Sequence, residues 1–417
     1  MNKEEFFEQN KTLCIHPWVG MYVDPAGEVY PCCVGNTDGS FGNVKNNSLV
    51  EIWNSAKYKD VRKTMMEGKF PKSCGECERL EKYGRSVRNH ANANLGHNFP
   101  IIESTQLDGY LEKFELKYLD IRFSNICNFK CRYCGESLSS AWGQENRKLI
   151  PENRPAVLHA SDGDRKLLDQ VIEHLGHTEM IYFAGGEPLV NPEHYEILEF
   201  LVNNNLNHVK LWYNSNCSKL TYKEYNIVDI WKKFDSVYVQ ASLDSFGDRA
   251  EYMRHGTNWD VILKNLKEIR KNSPNVEIGI NCVVSVLNVL TLTDFIEHLI
   301  ENEILINLES STEKCLYINF YPLTNPIYFK LDSLPTSIIH EAIEKIDIFI
   351  AKYSPHWINK NIIDSLENLK NTFIKEHVTE NKELARHFKK EVSFRDSIRE
   401  ENFTEVFPEL KKWYDEI

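Results

Sequence analysis

The stretch Leu116-Lys-Tyr-Leu-Asp-Ile-Arg-Phe-Ser124 runs, after Asn125 and Ile126, into Cys127-Asn-Phe-Lys-Cys131-Arg-Tyr-Cys134. The first part alternates, with Tyr118, Asp120, Arg122 and Ser124 on one side and Leu119, Ile121 and Phe123 on the other. Successive side chains of a strand point to opposite faces, so this is a strand with one polar and one apolar face. The second part brings three thiols close together. Three thiolates at this spacing can hold three irons of a [4Fe–4S] cube, whose fourth iron then has no ligand from the segment. Structural zinc wants four ligands, usually from paired C-x2-C knuckles, and no fourth ligand is evident here.

Outward from this stretch, further strands are predicted at Met180–Ala184, His208–Ser215, Ser236–Asp244, Val276–Ser285 and Cys315–Tyr321. Helical patterns over Arg165–Leu175, Pro192–Asn203, Trp259–Lys271 and Leu292–Glu301 separate them. Strand–helix alternation means parallel strands joined by right-handed crossovers, hence an α/β barrel or open sheet. Six units fall short of the eight in a closed barrel. The one-sided alternation recurs: Tyr238, Gln240, Ser242 and Asp244 face away from Val237, Val239, Ala241 and Leu243, and Glu277, Gly279 and Asn281 from Ile278, Ile280 and Cys282. Helices must cover the apolar faces, so the polar faces converge on a lumen. Asp120, Arg122, Gln240, Glu277, Asn281 and Asn319 are its candidate substrate-facing residues. The alternative is a one-sided sheet whose polar face lies in plain solvent.

The chain has 417 residues and a formal charge of −12, from 49 Lys+Arg against 61 Asp+Glu. That length suggests two or three domains, and 42% apolar residues are enough for a sizeable core. The acidic balance argues against nucleic acid or an anionic membrane as main partner. No apolar run approaches the 18 residues of a spanning helix, and the start MNKEEFFEQNK lacks the apolar region of a signal peptide, so a cytoplasmic protein is expected. Eleven cysteines are many for a reducing compartment, where clustered thiols more often bind metal than form disulfides.

Residues 1–95 form a Cys-, Gly- and Asn-rich segment. Short strands at Gly20–Val23 and Glu28–Tyr30 flank a turn at Asp24–Gly27, an amphipathic helix is predicted over Leu49–Glu67, and Arg88–Pro100 reads as a linker. Cys14, Cys32 (or its neighbour Cys33), Cys74 and Cys77 supply four thiolates for a [4Fe–4S] cluster or a zinc site, and spacing alone does not choose between them. Residues 115–325 carry the strand–helix units. Residues 331–417 are charged, helical and free of glycine, with apolar positions from Phe403 to Trp413 at the spacing of a docking helix.

The Cys127–Cys134 loop after the first strand resembles that of the radical S-adenosylmethionine (SAM) enzymes. A second mark follows the second strand, Gly185-Gly186-Glu187-Pro188, similar to the family's G-G-E-P, whose backbone meets the methionine amine of SAM. A third, Ser242-Leu-Asp244-Ser245 with Arg254, resembles the family's S-x-D-G stretch, with Ser245 in place of the usual glycine. The resemblance implies a partial (β/α)6 TIM-like barrel. It implies that Cys127, Cys131 and Cys134 ligate a [4Fe–4S] cluster, that Tyr133 lies beside the adenine, and that Asn214, Asn216, Ser242, Asp244 and Arg254 contact SAM. Reductive cleavage of SAM to a 5′-deoxyadenosyl radical, hydrogen abstraction from a polar substrate (peptide side chain, sugar or small metabolite) and an electron donor such as flavodoxin or ferredoxin follow from the same resemblance. The outcome would be oxidation, bond formation or epimerisation. An electron carrier or sensor that never cleaves SAM and an RNA-modifying enzyme are the rivals.

The segment around Asp24–Cys32 and Gly42–Trp53 resembles the SPASM/twitch modules that accompany such barrels, which implies an auxiliary [4Fe–4S] cluster on Cys14, Cys32, Cys74 and Cys77. Such modules usually follow the barrel, and this one precedes it. Among the remaining thiols, Cys217 is the candidate hydrogen donor, Cys282 is assigned to packed core and Cys315 to structure.

Overall fold

The computed structural model describes residues 2–36, 38–81, 86–150, 155–304, 318–354, 360–375 and 380–417. Cys315 and the start of the strand expected at Cys315–Tyr321 lie outside them. The chain divides into two compact units: Met1–Asn128 with Glu136–Asn214 and Lys233–Val237, and Phe129–Gly135 with Ser215–Lys232 and Tyr238–Ile417.

In the first unit the strands are β1 (Gly20–Val23), β2 (Val29–Tyr30), β3 (Tyr118–Ile121), β4 (Met180–Phe183) and β5 (Lys210–Ser215). They lie in the order β5-β4-β3-β1-β2. β3, β4 and β5 pair parallel, as the alternation with helices requires. β1 also joins β3 in parallel, Met21 opposite Leu119 and Val23 opposite Ile121, and carries β2 antiparallel on its outer side. The cysteine-rich segment thus extends the barrel sheet past its first strand. In the second unit β6 (Val237–Ser242), β7 (Val276–Val284) and β8 (Ile318–Pro322) follow in the order β8-β7-β6. β7 and β8 are parallel, with Asn281 opposite Asn319. The six barrel strands and their helices make this an α/β fold of the partial-barrel class, with a Cys-rich N-terminal segment and a helical tail.

Local caps explain where helices start. Asn191 accepts a bond from Glu193 N at 3.2 Å ahead of Pro192, opening Pro192–Asn203, and Asn258 accepts from Val261 N at 3.0 Å, opening Trp259–Asn272. Two expectations are corrected. The helix predicted over Leu49–Glu67 is two helices, Leu49–Trp53 and Ala56–Met66, because Ser55 caps the second while the Asn54 amide donates to Leu111 O at 2.8 Å. The linker predicted at Arg88–Pro100 is a helix, Val87–Leu95, continued by a tight turn at Gly96–Asn98. Its asparagines signal turns by composition, yet Ala91, Asn92 and Leu95 form a buried face.

The polar strand faces are not in solvent. Asp120 and Ser124 are fully buried, and Gln240, Asp244 and Asn281 are no more than 9% exposed. In the second unit the Asn319 amide donates to Asn281 Oδ1 at 3.2 Å and Asn281 donates to Gln240 Oε1 at 3.0 Å, an amide chain across three strands. Burying such groups is tolerable only with partners, so the polar interior is organised by hydrogen bonds. Cys282 is packed core, as expected, with its thiol against Asp244 O.

Candidate functional site

In the first unit, the chain leaving β3 is fixed by Asn125. Its amide donates to Glu136 O at 2.7 Å and Ala156 O at 3.1 Å, and its Oδ1 accepts from Leu158 N at 2.8 Å. Ser140 N donates to Asn125 O at 2.8 Å, and Cys127 N donates to Ser140 Oγ at 3.3 Å. Cys127 therefore sits on a backbone held before any ligand arrives. Asn125 was not singled out from sequence, although its place between strand and thiol loop is the signal that would have found it.

The turn after β4 is built against this loop. Gly185 and Gly186 have φ of +77° and +59°, where side chains are disfavoured. A Cβ on Gly185 would stand 2.2 Å from Arg122 Cδ, and one on Gly186 would stand 2.2 Å from Ile126 O. Glu187 N donates to the same Ile126 O at 2.8 Å, while the Glu187 carboxylate accepts from Leu189 N at 3.1 Å, closing the turn at Pro188. Gly186 thus docks on the residue just before Cys127, and Gly185 on Arg122. Arg122 lies on β3's polar side, 3.3 Å from Asp120 Oδ1 and 4.7 Å over the Tyr22 ring. Asn214 is half-buried at the end of β5.

In the second unit, Lys130–Cys131 pairs antiparallel with Arg254–His255. Arg254 is bidentate on Asp244, at 2.6 and 3.1 Å, with its remaining nitrogen 3.9 Å from Cys131 Sγ and its guanidinium 5.6 Å from the Tyr133 ring centre. Asp244 also accepts from Val283 N at 2.7 Å. Burial pushes the Cys131 thiol up to about 12; Arg254 draws it down and Cys134 raises it further. Such a thiol holds its proton until a metal displaces it. Ser242 is half-buried at the end of β6. Asn216 Oδ1 accepts from Ser218 N at 2.9 Å, a local turn bond. Cys217 is fully buried at φ +54°, its thiol bonded to Ser215 O. Glu277 is half-buried on β7.

The N-terminal thiols also come together in the first unit. Burial raises Cys14, and the neighbouring Cys74 and Cys77 raise it further, against Arg88. Burial likewise lifts Cys32 well above its ordinary value, with Cys33, Cys14 and Cys74 adding to the effect. Burial raises Cys33 to about 12, but its next-largest influences are Asp120 and Arg122, ahead of Cys77. Cys74 rises to about 11. Three buried thiols, Cys14, Cys74 and Cys77, with the half-buried Cys32 in electrostatic range of Cys14 and Cys74, are a donor set that suits thiolate ligation. Among the described residues no three His, Cys, Asp or Glu side chains form a ready single-ion site.

Sequence reasoning missed Asn92. Its Oδ1 accepts from Ile15 N and its amide donates to Leu13 O, both at 2.9 Å, gripping the backbone on either side of Cys14. Replacing it with Ala leaves two buried backbone groups unpaired, so Asn92→Ala should cost about 1–3 kcal/mol and lower the iron bound by the N-terminal segment. Thermal melting and iron counting on the purified chain check this.

The described residues thus carry two sets of cysteines and a glycine turn on an α/β scaffold. Residues 121–300 match the radical SAM superfamily, and residues 14–78 match SPASM, an iron–sulfur cluster-binding domain. Residues 121–300 belong to the radical SAM superfamily, and a SPASM domain precedes them in the chain. That membership implies a [4Fe–4S] cluster with SAM in the barrel and iron–sulfur ligation in the SPASM segment. The chain is 26% identical over 151 residues to the GTP 3′,8-cyclase of Actinobacillus pleuropneumoniae serotype 5b (strain L20), covering 36% of this chain and 39% of that enzyme. The Pasteurella multocida (strain Pm70) GTP 3′,8-cyclase is 26% identical over 145 residues, covering 34% and 38%. The chain thus spans under two-fifths of the length of these curated relatives. Similar solved structures include anSMEcpe with bound AdoMet (TM-score 0.38, 17% identical, 57% of this chain and 60% of that one). Streptococcus suis SuiB bound to S-adenosylmethionine is another (TM-score 0.38, 17% identical, 71% and 60%). Among the described residues no helix is long and apolar enough to cross a membrane.

Proposed function

We propose that this protein cleaves SAM reductively at a cluster on Cys127, Cys131 and Cys134, and uses the cleavage to abstract hydrogen from a polar substrate. The observation that carries this is the docking of Gly186 and Glu187 N on Ile126 O, which sets the glycine backbone beside the residue preceding Cys127. When bound, the cluster and SAM supply one-electron cleavage of the S–C5′ bond; the chain's own groups bind, orient and exclude. The backbone around Gly185 and Gly186 has no side chain to keep a methionine amine away. Arg254, paired with Asp244, lies 5.6 Å from the Tyr133 ring centre and keeps a donor toward Cys131. Cys14, Cys32, Cys74 and Cys77 hold the auxiliary cluster in this reading, with Cys33 as the alternative to its neighbour Cys32.

The substrate is taken to be polar and close to neutral, such as a peptide side chain. Arg122 and Arg254 are each paired with a carboxylate, and the amide chain Gln240–Asn281–Asn319 offers hydrogen bonds without charge. A nucleoside triphosphate, as the cyclase relatives' name suggests, wants unpaired cations. A cytoplasmic setting and a flavodoxin- or ferredoxin-type donor complete the proposal. Reconstituted, reduced full-length protein should release 5′-deoxyadenosine from SAM, and with a deuterated substrate that product should carry deuterium. No release would favour an electron carrier or sensor. In the Cys74→Ala variant basal release should persist in part while substrate turnover ends.

A further inference from the structure

The C-terminal segment matched no motif, and its last stretch is not the single docking helix that the spacing suggested. It is Phe403–Val406, a tight turn at Pro408–Leu410 and Lys411–Glu416, interrupted where Pro408 removes a backbone donor. Phe403, Phe407, Leu410 and Trp413 are nevertheless buried, and Phe403, Phe407 and Trp413 make an aromatic cluster with Phe388. What this cluster holds in place is a pair of carboxylates. Asp396 lies near the end of helix Lys382–Arg399, and Glu401 follows the left-handed Glu400, at φ +55°, that ends it.

Both carboxylates close on Arg132, the residue between Cys131 and Tyr133. Arg132 Nη2 donates to Asp396 Oδ1 at 2.5 Å and to Glu401 Oε2. Its Nε donates to Tyr252 O at 3.1 Å, and its guanidinium lies 3.5 Å from the Tyr252 ring centre. Its backbone N donates to Met253 O at 2.8 Å. Each partner is itself held. Tyr252 OH and Phe403 N donate to Asp396 at 2.8 Å, and Glu401 bonds His255 Nδ1 at 2.6 Å. His255 belongs to the short strand paired with Lys130–Cys131, so the tail grips that pair from both sides. The Arg132 side chain is 1% exposed. A buried ion pair pays a large desolvation cost and is weak evidence for stability, whereas fixing one geometry is a use it serves well.

We propose that Arg132 is a positioning residue: pinned by Asp396 and Glu401, it sets the conformation of the loop carrying Cys131 and Cys134, which makes residues 382–417 a working part of the SAM site. This rests on the reading of those cysteines as cluster ligands. Groups that orient metal ligands without touching the metal are typically worth about 10–100-fold in affinity or activity.

The test uses the full chain with both clusters, and two readouts besides activity: SAM affinity, and the change SAM makes in the electron paramagnetic resonance of the reduced barrel cluster. Arg132→Met should weaken SAM binding about 10–100-fold and distort that change, while the auxiliary cluster's signal stays as in the wild type. Glu401→Gln, which keeps shape but loses charge, should shift both readouts the same way by less, and it decides the matter should Arg132→Met fold poorly. Arg132→Lys should recover affinity only in part, because an ammonium keeps the charge but cannot meet both carboxylates and also supply the Nε bond to Tyr252 O and the flat contact with the Tyr252 ring. Wild-type affinity and signal in Arg132→Met and Glu401→Gln would overturn the proposal, as would equal loss at both clusters, which marks a general folding role. A wild-type protein whose barrel cluster ignores SAM would bring down the site reading itself, and the positioning role with it.

Discussion

Cys127→Ala is expected to reduce 5′-deoxyadenosine release to background while leaving the N-terminal iron in place. Its backbone is held by Ser140 Oγ, and Ser140 in turn by Asn125, none of which depends on the thiol. The substitution therefore removes a ligand without loosening the loop's anchor. With two thiolates in place of three, the barrel cluster should be lost, and bound iron should fall from about eight to about four atoms per chain. Iron counting, absorbance and product assay on anaerobically prepared protein check this together. Normal SAM cleavage by this variant would refute the assignment of the barrel thiols.

Gly186→Ala is expected to be nearly as damaging, for a steric reason. At φ +59° an Ala pays roughly 1–2 kcal/mol for the left-handed conformation. Its Cβ would also meet Ile126 O at 2.2 Å, a backbone atom that cannot swing aside, adding about 1–3 kcal/mol of overpacking. The strain falls on the segment between Asn125 and Cys127. The variant should melt at lower temperature, lose the Glu187 N to Ile126 O bond and bind SAM far more weakly. Calorimetry of the cluster-loaded protein with and without SAM measures both effects. A variant with unchanged melting and unchanged SAM affinity would mean that the glycine is there for neither space nor ligand approach.

Several parts of this architecture were readable because their signals are local. The β3 alternation, the helical pattern over Pro192–Asn203 and the thiol spacing each lie within a few turns of chain, so residue order alone states them. The Leu49–Glu67 helix failed because one hydrophobic period continued through a second cap at Ser55, and a side chain's choice of partner, Asn54 to Leu111, is not written in periodicity. Arg88–Pro100 failed for the converse reason: asparagine is a turn residue until its amide finds a buried backbone, as Asn92 does at Leu13 and Ile15.

Residue order alone was enough to establish that this chain carries a three-thiol loop after a half-polar strand, a glycine pair after the next, and four further thiols upstream. Chemistry that needs specific atoms at fixed short spacing leaves that spacing in the chain. Only folding could reveal that β1 extends the barrel sheet, that Asn92 grips the backbone on either side of Cys14, and that Arg132 meets carboxylates 264 and 269 positions away. Those relations are made by packing, where distance along the chain carries no information about distance in space.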